Sequence, residues 1–215
     1  LLKENKTYLI IQIMSSFVIA FTAFFVRYMF EQFGKIKCLC VEDTEKMSNL
    51  LESDYELIRR LQAFSANLFI HSMRVSVMSM RVSQKMGYNS LLAKAGGMYH
   101  EIGRIKKEEN YVEATNDIAY AYDFPKCLTD LILQVCDKDE KPESREAMVV
   151  MLSDSIVSMI EYFEKNTDKS RPSKEKLIES VFANRQKKGN FDNCDISEKE
   201  IEGIKETYKN INMDF

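Results

Sequence analysis

What most constrains this chain is how rarely it is punctuated: 7 glycines and 3 prolines fall in 215 residues. Sandwiches, barrels and doubly wound sheets need these residue types at many of their turns. A chain with so few of them reads as helices joined by short breaks. Hydrophobic residues make up 45% of it, which sets it apart from disordered chains. Helical spacing predicts helices over approximately 54–64, 67–86, 90–107, 112–122, 125–137, 143–165, 173–186 and 197–210. Ser144, Ser173 and Ser197 stand at helix mouths, the last two followed by acids that favour the positive end of the dipole. Gly87 and Gly189 stand where helices should stop. Val75, Met78, Val82, Leu92, Met151 and Ile160 are expected in the core. No internal repeat or low-complexity tract interrupts the pattern.

Thr7 to Val26 form 20 consecutive residues without a charge. At 1.5 Å of rise each they would span about 30 Å, a bilayer's hydrocarbon thickness. The expectation is a transmembrane helix and its flanks over 1–37, a linker and approach helix over 38–66, and a helical domain over 67–215. The lipid bilayer is then a partner. Basic residues lie on both sides of the span, Lys3 and Lys6 before it and Arg27, Lys35 and Lys37 after it. Their balance leans toward a helical domain in the cytoplasm, at the cell membrane. The first residue is Leu, and the expectation is that the chain is part of a longer, multi-pass protein.

The net charge is −3, falling to −6 beyond residue 37, with no basic stripe interleaved with aromatics, so no DNA or RNA duplex is expected as a partner. The cysteines are Cys38, Cys40, Cys127, Cys136 and Cys194. Without a C-x-x-C pair they support neither a zinc ribbon nor a disulfide framework, and reduced thiols are expected.

Three predicted helices each carry polar groups where apolar ones should be. His71 shares a helical face with Val75, Met78 and Val82. His100 and Glu101 are adjacent late in the helix that begins near Ser90, with Gly103 just beyond to admit another backbone. Asp154 is embedded in Val149-Val150-Met151-Leu152-Ser153-Asp154-Ser155-Ile156-Val157. A carboxylate in so apolar a run is expensive to bury unless a cation or strong donors satisfy it. Taken alone, His71 on its apolar stripe reads as a packed core residue rather than a ligand.

That order of groups resembles the HD phosphohydrolase superfamily. More closely, it is similar to the cytosolic domain of the seven-transmembrane HD family, which includes cyclic-di-AMP phosphodiesterases. The resemblance runs through Glu56-Leu57-Ile58-Arg59-Arg60-Leu61, His71-Ser72, the stretch from Asn89 to His100, Ser144-Arg145-Glu146-Ala147, Ser153-Asp154-Ser155 and Gly189-Asn190-Phe191-Asp192-Asn193-Cys194-Asp195-Ile196. It implies an all-α, HD-type helical bundle. It also implies metal ligation by His71, His100, Glu101 and Asp154, with Glu101 and Arg104 as the candidate catalytic residues and a cyclic dinucleotide as possible ligand.

The departures are as informative as the match. Glu101 stands where the family has aspartate, and Arg104 where it usually has lysine. Val135 and Cys136 stand where an adjacent histidine pair is expected, and residues 108–116 look shortened and hold no histidine. With two histidines in the whole chain, the resemblance implies one divalent ion (Mn, Fe or Mg) or none. The leading expectation is a degenerate domain with weak or lost catalysis and a sensing or interaction role. An active mononuclear phosphohydrolase is the alternative, and an unrelated helical membrane protein the third. The oligomeric state is left open.

Overall fold

The computed structural model describes Phe21, Thr22, Phe24, Arg27 and residues 41–212 other than 138–140, 167 and 169. The expected membrane span Thr7–Val26 lies almost wholly outside the described residues. Among those described, no helix is long and apolar enough to cross a membrane. The chain divides into two units, 1–40 and 41–215. In the first, the four described residues are helical.

The second unit is helical throughout, with no strand among the described residues. Its helices are α1 (Val41–Leu50), α2 (Glu56–Phe64), α3 (Ala66–Met86), α4 (Ser90–Tyr99), a 3₁₀ turn (Ile102–Lys106), α5 (Tyr111–Ala121), α6 (Lys126–Cys136), α7 (Arg145–Lys165), α8 (Lys174–Lys187) and α9 (Glu198–Asn210). The Ser144, Ser173 and Ser197 side chains each accept a backbone N–H three residues on, at the mouths of α7, α8 and α9. Such a cap contributes about 1 kcal/mol. Asn89 and Asn110 cap α4 and α5 in the same way.

Helix α7 is the centre of the bundle. Ala147 to Ser153 are buried without a break, the mark of a helix enclosed on all sides rather than along one stripe. Helices α3, α4, α6 and α8 pack around it. Val75, Met78, Val82, Leu92, Met151 and Ile160 are all buried, as expected.

Helix α3 presents small side chains, Ser72, Ser76, Ser79 and Ser83, all buried. Helix α4 answers with Gly97, where an added Cβ would lie 2.6 Å from the Ser76 Cα and 2.7 Å from its backbone nitrogen. The two backbones are therefore in direct contact, and the Ser76 hydroxyl donates to the Lys94 carbonyl at 2.7 Å across the seam. Residues 71 and 100 are held on neighbouring helices by this close approach.

One expected helix is shorter than the periodicity implied. The 90–107 segment stops at Tyr99 and tightens into the 3₁₀ turn. In a continuous α-helix the Arg104 N–H would bond the His100 carbonyl. Instead Arg104 N–H bonds the Glu101 carbonyl at 3.2 Å, and the Tyr111 hydroxyl donates to the His100 carbonyl at 3.0 Å. Gly103 permits this, since a Cβ there would meet the Tyr111 carbonyl oxygen at 2.7 Å. A tertiary hydrogen bond thus replaces a local one.

Candidate functional site

Three helices converge on the carboxylate of Asp154. His71 Nε2 lies 3.2 Å from Asp154 Oδ1, and His100 Nε2 lies 3.7 Å from the same oxygen. The two imidazole centroids are 5.4 Å apart. Glu101 joins from the end of α4: one potential ligand atom from each of His71, His100 and Glu101 lies within 4.8 Å of the others. Of the four side chains singled out in the sequence as metal ligands, His71, His100 and Glu101 form one cluster, and Asp154 stands against the two histidines.

Second partners orient the two imidazoles. His100 Nδ1 is 2.8 Å from the Gly97 carbonyl. A carbonyl only accepts, so Nδ1 carries the proton and Nε2 offers its lone pair. That Nε2 is buried and has no hydrogen-bond partner. His71 Nδ1 lies 3.2 Å from Glu161 Oε2, and Glu161 is itself held 3.6 Å from Arg74. Glu161 lies seven residues after Asp154, two turns along the same face of α7. The sequence reading missed it, although that spacing was a usable signal.

The charges explain the titration. Burial alone would raise the Asp154 carboxyl, but His100 and His71 beside it outweigh burial and hold it well below the usual carboxylate range. Burial likewise works against the His71 imidazolium, yet the Asp154 hydrogen bond and the charges of Asp154, Glu161 and Glu101 raise it above its ordinary value. A metal would have to displace that proton.

This donor set fits one divalent cation. The imidazole nitrogens of His71 and His100 and the Glu101 carboxylate are grouped closely enough to hold a metal ion, and the unpartnered His100 Nε2 is the kind of buried acceptor that a cation satisfies. Glu101 is the least committed of the four, because Arg104 forms an ion pair with its carboxylate. Val135 and Cys136 lie in the wall of the adjoining cleft, which measures about 1060 Å³. The Cys136 thiol is pushed up to about 11 by burial and sits outside the ligand cluster. Arg104, Lys141, Arg185 and Lys188 also line the cleft; Arg185 was not singled out in the sequence.

Residues 68–159 match the HD domain family model. The chain carries an HD domain. Its relatives include the cyclic-di-AMP phosphodiesterase PgpH of Bacillus subtilis, 21% identical over 216 residues, covering 76% of this chain and 30% of that protein. They also include ribonuclease Y of Aster yellows witches'-broom phytoplasma, 29% identical over 99 residues, covering 45% of this chain and 19% of that protein. The chain thus matches less than a third of the length of either relative. Among solved structures, the HD domain of the Listeria monocytogenes phosphodiesterase PgpH in complex with cyclic-di-AMP aligns with a TM-score of 0.62. At 20% identity the alignment covers 72% of this chain and 93% of that one, which establishes a shared fold. The HD-type bundle is thereby shown, and His71, His100, Glu101 and Asp154 all lie inside the matched segment.

Proposed function

We propose that this HD domain is a degenerate relative of the cyclic-di-AMP phosphodiesterases that holds at most one divalent ion and turns over a cyclic dinucleotide weakly or not at all. The carrying observation is the cleft wall beside the His71–Asp154 cluster, where Val135 and Cys136 offer no imidazole to a second ion and burial disfavours the Cys136 thiolate. A metal in this site would supply activated water and neutralise phosphate charge. What the chain contributes is His71, His100 and Asp154 in a fixed triangle, and a Glu101 that is both one methylene longer than aspartate and engaged by Arg104. Displacement of the reacting centre by about 1 Å can cost roughly a hundredfold in rate. In this reading the domain is tethered to the cell membrane, lies in the cytoplasm, and senses its ligand or relays its binding. The retained triangle favours the second reading, an active mononuclear phosphohydrolase.

A metal-supplemented cyclic-di-AMP hydrolysis assay on the full 215-residue chain, with Asp154→Ala as control, separates the two. The expected result is one bound ion or fewer per chain and turnover far below the ordinary enzymatic range of about 1 s⁻¹ and above. Glu101→Asp should restore little, and Val135→His with Cys136→His should increase metal uptake more than turnover. Turnover near 1 s⁻¹ that Asp154→Ala abolishes would establish the mononuclear enzyme instead.

A further inference from the structure

The Ser153-Asp154-Ser155 triplet sends its three side chains in three directions. The Tyr208 hydroxyl donates to the Val149 carbonyl at 2.8 Å, so Ser153 must donate to Tyr208, also at 2.8 Å, and this ties α9 to α7. Asp154 faces the imidazoles. Ser155 donates to the Met151 carbonyl at 2.8 Å and accepts two hydrogen bonds from one guanidinium, Arg185 Nε at 3.0 Å and Nη2 at 2.6 Å.

Arg185 lies in the last turn of α8, where a cation offsets the helix dipole. A cation with that role alone would stay in water, as Lys187 does. Arg185 instead folds back, half-buried, into the cleft. Of the other cations lining the cleft, Arg104 is paired with Glu101, and Lys141 with Asp192 at 3.0 Å. Arg185 forms no ion pair with a carboxylate among the described residues, although Asp154 lies close enough for its charge to act on it. Burial lowers its value and that charge opposes the effect. Of its five N–H donors, the two bonded to Ser155 leave three. A half-buried guanidinium without a paired carboxylate, clamped by a hydroxyl that is itself tied down, is a preorganised fork for a planar or tetrahedral oxyanion.

Resting on the cyclic-dinucleotide reading above, we propose that Arg185, oriented by Ser155, is a phosphate-binding residue that holds a phosphodiester of the ligand in the cleft beside the His71–Asp154 cluster, whether or not a metal is bound. Lys188, three residues on and just past the end of α8, also lines the cleft and adds a second positive charge to the same subsite. Such a grip lets a domain with little catalysis still recognise its nucleotide.

The test is calorimetric binding of cyclic-di-AMP to the full chain, with EDTA and with Mn²⁺, for the wild type, Arg185→Gln, Arg185→Lys and Ser155→Ala. Charge-assisted hydrogen bonds of this kind correspond to about ten- to a hundredfold in affinity. Arg185→Gln should lose that factor in both conditions while keeping its Mn²⁺ content and melting temperature. Arg185→Lys should recover only part, and inorganic phosphate should compete with the nucleotide on the wild type but not on Arg185→Gln. Affinity unchanged by Arg185→Gln, no wild-type binding at millimolar nucleotide, or a parallel loss of metal and nucleotide would each overturn the proposal. Fast turnover by the wild type would overturn the low-catalysis reading alone and leave this subsite standing.

Discussion

Gly97→Ala is the substitution that most directly tests how the site is assembled. The added methyl would sit 2.6 Å from the Ser76 Cα, 2.7 Å from its nitrogen and 2.9 Å from the Val75 carbonyl carbon. All three are backbone atoms of α3, so no rotamer change relieves the clash, and the helices must separate by about 1 Å to reach ordinary contact. Overpacking of this kind costs about 1–3 kcal/mol, and backbone contacts place Gly97 near the upper end. Alanine returns about 1 kcal/mol of helix propensity, leaving a net loss of about 2 kcal/mol. For a domain of this size that lowers the melting temperature by about 4–8 °C. The same displacement moves the Gly97 carbonyl that orients His100, so metal uptake should fall with stability. Gly203→Ala is the internal control. Its Cβ would meet nothing nearer than the Met86 Cε at 3.6 Å, so the propensity gain of about 0.5–1 kcal/mol should appear as stabilisation. Thermal melts of both variants and Mn²⁺ content by elemental analysis provide the measurement. A Gly97→Ala protein as stable as the wild type, or one that binds metal equally well, would refute the close-packed seam as the device that holds the two histidines together.

The Glu161–His71 hydrogen bond predicts that Glu161→Ala weakens Mn²⁺ binding by about 10- to 100-fold, as for other groups that orient a metal-binding imidazole. Competition against a fluorescent chelator would measure it, and an unchanged affinity would exclude the positioning role. The acid dependence of stability has an identifiable contributor in Glu200, whose carboxyl is lowered first by the Arg145 guanidinium, with burial opposing and Tyr88 assisting. Because the folded value lies below the unfolded one, this contribution is fully present above the ordinary glutamate value of 4.5 and is lost as pH falls through the folded value. Urea melts from pH 7 downward should show a shallower acid loss for Glu200→Gln than for the wild type; matching slopes would remove Glu200 from the account.

Most of the architecture was legible because helices announce themselves locally. Breaker spacing, serine caps and apolar periodicity concern residues three or four apart, and the ends of α7, α8 and α9 lie within two residues of their expected positions. His71, His100, Glu101 and Asp154 were legible for a different reason: polar groups in apolar surroundings need a partner, and the structure brings them together. What the sequence by itself could not decide is set by distance in space between residues far apart in the chain. The helix beginning at Ser90 ends early because a hydroxyl eleven residues beyond His100 takes the carbonyl that the next turn would have used. Arg185 looked like an ordinary helix-end cation in Ala183-Asn184-Arg185-Gln186-Lys187-Lys188. Only the packing of α8 against α7 turns its guanidinium to Ser155, thirty residues away, and makes it part of the cleft. Local propensity selects the helices, but which charges they point at one another depends on their crossing, and that is written in no single segment.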